Sequence, residues 1–347
     1  MKKVASIAIL FFALAFMLTA CNTESGKKDS APKKISVVAT IYPQYDWLKN
    51  VIGEHADAVD LKLLIKNGTD LHSYKPSAQD IAAIAKADLV VYVGGESDEW
   101  IEKALEATPK EGRIALNLMK ALGERVKEEE VVEGMQAEEE HHHEHGDEHE
   151  EHAEEHEHEE HHEHAEAPEN DEHIWLSLKN AEILVKNIAE SIAQLDPANA
   201  ETYKANTDAY ISKIRELEAN FTEALAGASQ KTVLFGDRFP FRYLVDDYGI
   251  KYYAAFVGCS AESEASFETV AFLAGKMDSL QLPAIFTIDG SNGKIARAIL
   301  EASKNSKNAQ VLTLNSMQSV TDEQIKAGVD YLSIMRDNLE VLKQALK

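Results

Sequence analysis

Cysteine is scarce in this 347-residue chain, which contains only Cys21 and Cys259. Two cysteines allow at most one disulfide, and acylation of Cys21, which the N-terminal sequence indicates, leaves none. The stability of the fold must therefore come from its hydrophobic core. The remaining thiol, Cys259, is then either a buried apolar side chain or a metal ligand.

A basic surface is also lacking. The formal charge is −25, yet residues 128–172 hold 22 of the acidic side chains and no Lys or Arg, which leaves about −3 for the rest. A near-neutral remainder without a basic patch excludes nucleic-acid binding and electrostatic docking to anionic lipid. About 280 residues remain for folded structure, enough for two domains of ordinary size.

The N-terminus carries the only long apolar run. Two lysines precede an apolar stretch from Ile7 to Leu18, and the segment ends in Leu-Thr-Ala before Cys21. This pattern predicts a lipoprotein signal peptide over 1–20, too short to favour a membrane-spanning helix. We expect Cys21 to be lipidated, 21–34 to form a flexible tether, and the mature protein to be anchored to the membrane outside the cytoplasm.

From residue 35 onward, short β-branched runs alternate with stretches of helical length, which predicts an α/β fold with largely parallel sheets. An N-terminal lobe over 35–127 is completed by 173–197, and a C-terminal lobe covers 227–347. Between them, apolar residues at steps near 3.6 predict one rigid connecting helix over 198–226. The expected strands are 35–40, 59–65, 89–93, 113–117, 232–235, 251–256, 284–288 and 311–314. The expected helices are 43–53, 76–86, 98–107, 178–195, 240–248, 266–280, 293–304 and 321–346.

Eleven of the 14 histidines lie between His141 and His164, among glutamates. The run 128–172 has no Phe, Tyr or Trp, and we expect it to be a disordered loop. Imidazoles bind zinc, nickel and copper, and the carboxylates concentrate cations, so the composition favours metal binding. A solvated acidic spacer is the weaker interpretation.

Two other histidines stand at element boundaries. His72 lies in a turn-rich loop after the strand 59–65, and His173 lies where the His/Glu run ends. In open α/β sheets, ligands bind beyond the carboxyl ends of strands, so we expect a metal site in the cleft between the lobes.

The segments around these histidines resemble two motifs of one family. Residues 70–77 (Asp-Leu-His-Ser-Tyr-Lys-Pro-Ser) and 171–177 (Asp-Glu-His-Ile-Trp-Leu-Ser) resemble the Asp-Pro-His-x-Tyr/Phe-x-Pro-Ser and Asp-Pro-His-x-Trp-Leu-Ser/Asp motifs of the ZnuA-like zinc and manganese solute-binding lipoproteins. The resemblance covers about 35–347. It implies two lobes joined by a long helix, one metal ion held between them, and an ABC importer permease as partner. It also implies that His72 and His173 are ligands. We expect the protein to be a monomer.

The second lobe departs from the family pattern. Arg238 stands where the family has a histidine or glutamate ligand, and guanidinium cannot ligate a cation. Asp237, which directly follows a predicted strand, is the nearest donor, although an ion pair or helix cap explains it equally well. Cys259 also follows a strand and would favour zinc over manganese. Further possible donors are Glu262, Asp289 and the neutral Asn315, which stands where the family has an aspartate.

We therefore expect a zinc receptor for an ABC importer, with no catalytic step. The alternatives are a manganese receptor of the same family and an extracellular zinc buffer or adhesin acting through the His-rich loop. A zinc hydrolase is disfavoured, because outside the His/Glu run no His-Glu-x-x-His motif occurs and no residue is designated as a general base.

Overall fold

The computed structural model describes residues 34–136, 169–260, 264–304 and 307–346. The predicted signal peptide, Cys21, most of the tether, the central His/Glu run and Glu262 lie outside the described residues. Within the described part of the chain, no helix is both long and apolar enough to cross a membrane.

Each lobe is built on a four-stranded parallel sheet. The N-terminal sheet has the order β2-β1-β3-β4 and the C-terminal sheet the order β6-β5-β7-β8. Near-continuous burial of β3 and β7 is typical of parallel sheets covered on both faces. The strands are β1 Ile35–Ala39, β2 Val59–Leu63, β3 Leu89–Tyr92, β4 Ile114–Asn117, β5 Thr232–Phe239, β6 Lys251–Val257, β7 Ala284–Ile288 and β8 Gln310–Leu314.

Helices follow the strands in both lobes, as the alternating pattern predicts. They are α1 Tyr42–Ile52, α2 Ala78–Lys86, α3 Glu99–Ala107, α4 Leu118–Leu122, α5 Leu178–Leu195, α6 Ala200–Ala226, α7 Arg242–Tyr248, α8 Phe267–Ser279, α9 Lys294–Ala302, α10 Asp322–Lys326 and α11 Tyr331–Ala345. The two-lobe α/β prediction is confirmed, and the eight predicted strands all form.

The predicted connecting helix is also present as α6, which has 27 residues. Its buried residues recur on one stripe and pack mainly against α5, α1 and α11. Helices α1 and α5 belong to the N-terminal lobe and α11 to the C-terminal lobe, so α6 joins the two lobes through apolar contacts. A helix of this length spans about 40 Å.

Three details differ from the sequence prediction. The strand predicted to end at residue 235 continues to Phe239, through a register shift between Phe235 and Arg238. The helix predicted over 321–346 is divided into α10 and α11, because Gly328 adopts a φ of 87° that ends the first helix. The short helix α4, capped by the Asn117 side chain, was not predicted.

The ends of the predicted disordered run are structured. Glu128 pairs with Asn170 in an antiparallel bridge, and the N–H of Glu129 donates to the carbonyl of Glu169 at 2.8 Å. Beyond this bridge, the N–H of Gln136 donates to the carbonyl of Ala255 at 2.9 Å. We call residues 127–136 and 169–172 the stem. It anchors the His/Glu-rich segment to the C-terminal lobe, and its order comes from backbone pairing that composition does not reveal.

Candidate metal centre

Three potential ligands meet between the lobes: His72, His173 and Cys259. One donor atom from each lies within 4.8 Å of the other two. The Nε2 atoms of His72 and His173 are 3.1 Å apart. Among the described residues this is the group of His, Cys, Asp and Glu side chains with the geometry to hold a metal ion.

His72 is held by a 3-10 turn, Leu71–Ser73, in the loop that follows β2. The carboxylate of Asp70 caps this turn by accepting from the N–H of His72 at 2.9 Å. Ser97 Oγ lies 2.8 Å from Nδ1 of His72. With Nδ1 engaged, Nε2 is the nitrogen that faces the centre.

His173 is fully buried, and Asp171, two residues earlier in the chain, holds it in place. One oxygen of Asp171 accepts from the His173 N–H at 2.8 Å and lies 3.0 Å from Nδ1. A carboxylate behind a ligating imidazole fixes its tautomer and makes it a stronger donor. Gly258 allows close packing on the ring, because a Cβ there would come 3.0 Å from Cε1 of His173.

Cys259 comes from the opposite lobe, in the turn after β6. Its N–H donates to Glu129 Oε1 at 3.0 Å. Glu129 belongs to the stem, so the stem supplies a carboxylate behind Cys259 as well as the one behind His173. A third stem carboxylate, Glu172, accepts from the N–H of Ser97 at 2.9 Å and lies 3.9 Å from Nδ1 of His72.

The electrostatics suit a cation. Burial, reinforced by repulsion from His173, lowers the pKa of His72 to about 3, so its imidazole is neutral at physiological pH. Burial, and then the charges of Glu129, Glu172 and Asp171, raise the pKa of the Cys259 thiol. A bound zinc ion deprotonates a coordinating thiol, and the negative charge of the surrounding carboxylates attracts that ion.

Asp237, the other predicted ligand, is not brought into this group. It lies in the bulge of β5 and lines a separate cavity of about 280 Å³ together with Asp289 and Arg238. Its Oδ2 is buried without a hydrogen-bond partner. The extension of β5 places its side chain beside the strand rather than in a loop beyond it, which the sequence did not indicate.

Two further second-lobe candidates, Asp289 and Asn315, are engaged elsewhere. Asp289 accepts from the N–H and the hydroxyl of both Ser316 and Ser319, at 2.5–3.1 Å. Asn315 Oδ1 accepts from the N–H of Met317 at 2.8 Å. Both side chains shape the loop after β8.

Arg238 has a structural role at the position where the family has a ligand. It forms an ion pair with Asp70 and donates to the carbonyl of Ser260 at 3.3 Å. Burial works to raise the pKa of Asp70, but the guanidinium outweighs it and holds the pKa below its usual value. Arg238 thereby joins the turn that carries His72 to the loop that carries Cys259.

Sequence reasoning did not identify Ser97, Glu129 or Gln318 as part of this site. Gln318 Nε2 lies 3.1 Å from Nε2 of His173. Ser97 stands in the 3-10 turn Glu96–Asp98 and Gln318 in the loop after β8, neither within a recognisable motif, and Glu129 is hidden among many glutamates. Only its place at the edge of the acidic run could have drawn attention to it.

The chain resembles known proteins over most of its length. It is 33% identical over 347 residues to the zinc-binding lipoprotein AdcA of Streptococcus pneumoniae strain R6, an alignment that covers 99% of this chain and 61% of AdcA. It therefore spans about three fifths of that relative. It is also 31% identical over 341 residues to the high-affinity zinc uptake system protein ZnuA of Bacillus subtilis strain 168, covering 97% of each.

Solved structures agree with the fold. The Zn(II)-bound ZnuA-like domain of Streptococcus pneumoniae AdcA is similar with a TM-score of 0.66 and 28% identity, covering 90% of this chain and 99% of that domain. The metal-dependent lipoprotein YcdH of Bacillus subtilis gives a TM-score of 0.68 and 26% identity, with the same coverage. The profile of one family, described as zinc-uptake complex component A, periplasmic, matches residues 37–345. With both motif histidines meeting between two such lobes, the chain belongs to the ZnuA family.

Proposed function

We propose that this protein is an extracytoplasmic receptor that captures a zinc ion in the cleft and delivers it to the permease of an ABC importer. The observation that carries the proposal is the meeting of His72, His173 and Cys259 between the lobes. The ion is cargo, and the function consists of binding and release without a catalytic step.

The donor set favours zinc over manganese. Two imidazoles and a thiolate suit a tetrahedral Zn²⁺ ion, whereas Mn²⁺ prefers carboxylate, carbonyl and water oxygens. In a tetrahedral site with Zn–N distances of about 2.0–2.1 Å, two nitrogens lie about 3.3 Å apart. The observed 3.1 Å between the two Nε2 atoms is close to that value, so the two imidazoles need to move little to bind the ion.

The relatives support the same cargo and location. One is named a zinc-binding lipoprotein and another a zinc uptake system protein. We propose, accordingly, that Cys21 is the lipidated residue, that the protein acts as a monomer at the outer face of the membrane, and that 21–34 is its tether.

A competition titration with zinc and manganese tests this function. The full mature chain should be compared with a variant that lacks residues 137–168 and keeps the stem. We expect the shortened protein to retain one tight zinc site with much weaker manganese binding. Loss of all tight binding with the deletion would overturn the proposal and assign zinc to the His/Glu-rich segment.

A further inference from the structure

A fourth donor is already in place beside the two histidines. The terminal amide of Gln318 has its Nε2 atom 3.1 Å from Nε2 of His173, the same separation that joins His173 to His72. Neighbouring ligands of a tetrahedral zinc ion lie about 3.3 Å apart when they are nitrogen or oxygen. The amide of Gln318 therefore stands at ligand distance from His173.

The loop that presents Gln318 is firmly held. Asp289 accepts hydrogen bonds from Ser316 and Ser319 on either side of it. The indole of Trp175 donates to the carbonyl of Ser316 at 2.9 Å, which ties this loop to the segment that carries His173. A donor presented in this way is positioned before the ion arrives.

The amide can offer its oxygen to the ion. Ser316 Oγ lies 3.1 Å from Oε1 of Gln318. The single proton of the Ser316 hydroxyl is donated to Asp289, so Ser316 Oγ can only accept at its contact with Gln318. A half-turn of the amide exchanges Oε1 and Nε2 and gives Ser316 Oγ the amide nitrogen as its donor. Turning the oxygen toward the centre therefore sacrifices no hydrogen bond to Ser316.

We propose that Oε1 of Gln318 is the fourth zinc ligand, completing a set with His72, His173 and Cys259. This inference rests on the proposed function and deepens it. Asn315, whose position in the family holds an aspartate, keeps its side-chain oxygen on the N–H of Met317. The fourth ligand position of the tetrahedral site is thus filled by the neutral amide of Gln318, three residues after Asn315. A neutral oxygen binds zinc more weakly than a carboxylate, which favours release of the ion to a permease.

The test compares Gln318→Ala and Gln318→Glu with the wild-type chain, and uses Gln310→Ala on the exposed part of β8 as the matched control. Zinc affinity is measured by competition titration, and the visible absorption of the Co²⁺-loaded protein reports the ligand set. We expect Gln318→Ala to weaken zinc binding by about tenfold or more, and Gln318→Glu to strengthen it by a similar factor. The Co²⁺ spectrum should change in both variants and not in the control.

Two outcomes separate this inference from the proposed function. If wild-type protein binds zinc tightly but both Gln318 variants keep its affinity and its Co²⁺ spectrum, Gln318 is not a ligand and the receptor function stands. If wild-type protein lacks a tight zinc site, the proposed function itself fails. Should the alanine variant fold poorly by circular dichroism, the glutamate variant, which keeps nearly the same shape, decides the question.

Discussion

The buried carboxyl group of Asp46 should make the free energy of unfolding depend measurably on pH. Its carboxylate lies on α1 and accepts from the N–H of Tyr331 at 3.2 Å and from the hydroxyl of Tyr210 at 3.4 Å, so it joins three helices. Burial raises its pKa from 3.8 to about 6 despite those hydrogen bonds. The native state therefore binds a proton more tightly at this carboxyl than the unfolded chain does.

The sign and size follow from that difference. Stability falls as pH rises wherever the native state holds more protons than the unfolded state. For Asp46 the fall begins near pH 4 and is complete above pH 6. At 1.36 kcal/mol for each pKa unit, the change from 3.8 to about 6 corresponds to roughly 3 kcal/mol in the free energy of unfolding.

The assay is urea unfolding of chelator-treated protein between pH 4 and pH 8, for wild type, Asp46→Asn and the exposed control Asp337→Asn. An asparagine does not titrate, so the wild-type free energy of unfolding should fall by most of roughly 3 kcal/mol relative to Asp46→Asn across this range. The control should follow the wild-type profile. Parallel profiles for wild type and Asp46→Asn would refute the reasoning.

Two further substitutions test single contacts, one behind His173 and one between β5 and α9. Asp171→Asn removes the carboxylate behind His173, and we expect zinc affinity, measured by competition titration, to fall about 10–100-fold. The melting temperature of the metal-free protein should change little. Unchanged zinc affinity would show that the carboxylate is dispensable. Gly236→Ala would place a Cβ 2.4 Å from the Cα of Ala296, so we expect α9 to be displaced. The free energy of unfolding should fall by about 1–3 kcal/mol. An unchanged midpoint of denaturant unfolding would contradict this expectation.

The fold was largely predictable from the sequence because parallel strands in a covered sheet are short, apolar runs. Val-Val in β1 and Leu-Val-Val in β3 are buried, and each run is followed by a stretch of helical pattern. What could not be predicted were local backbone events. The bulge near Gly236 and the left-handed turn at Gly328 depend on neighbouring strands and helices that have no signature in a linear pattern.

The site was only half predictable, for a related reason. His72 and His173 stand in motifs whose residues also hold them, since Asp70 and Asp171 accept from the histidine N–H groups two residues away. Such local contacts leave a pattern in the sequence. Glu129 and Gln318 reach the centre through the pairing of the stem and the shape of the loop after β8, so their role depends on contacts between distant segments.

Asp237 shows how the end of a strand affects the choice of a candidate ligand. Its selection as a ligand depended on the predicted end of β5, and four additional residues in the strand place it at another cavity. Its ligation, like that of Cys259, stays a prediction that only metal-loaded protein can test.

The central claim is that the second lobe contributes a thiolate to a zinc site shared with the two histidines. The most direct measurement is the near-ultraviolet absorption of the Co²⁺-loaded protein lacking residues 137–168, compared with its Cys259→Ser variant. Our account predicts an intense thiolate-to-cobalt charge-transfer band in the parent protein and its loss in the variant, with weaker binding of zinc. The same spectrum in both proteins would contradict the claim and leave Cys259 as a half-buried apolar side chain.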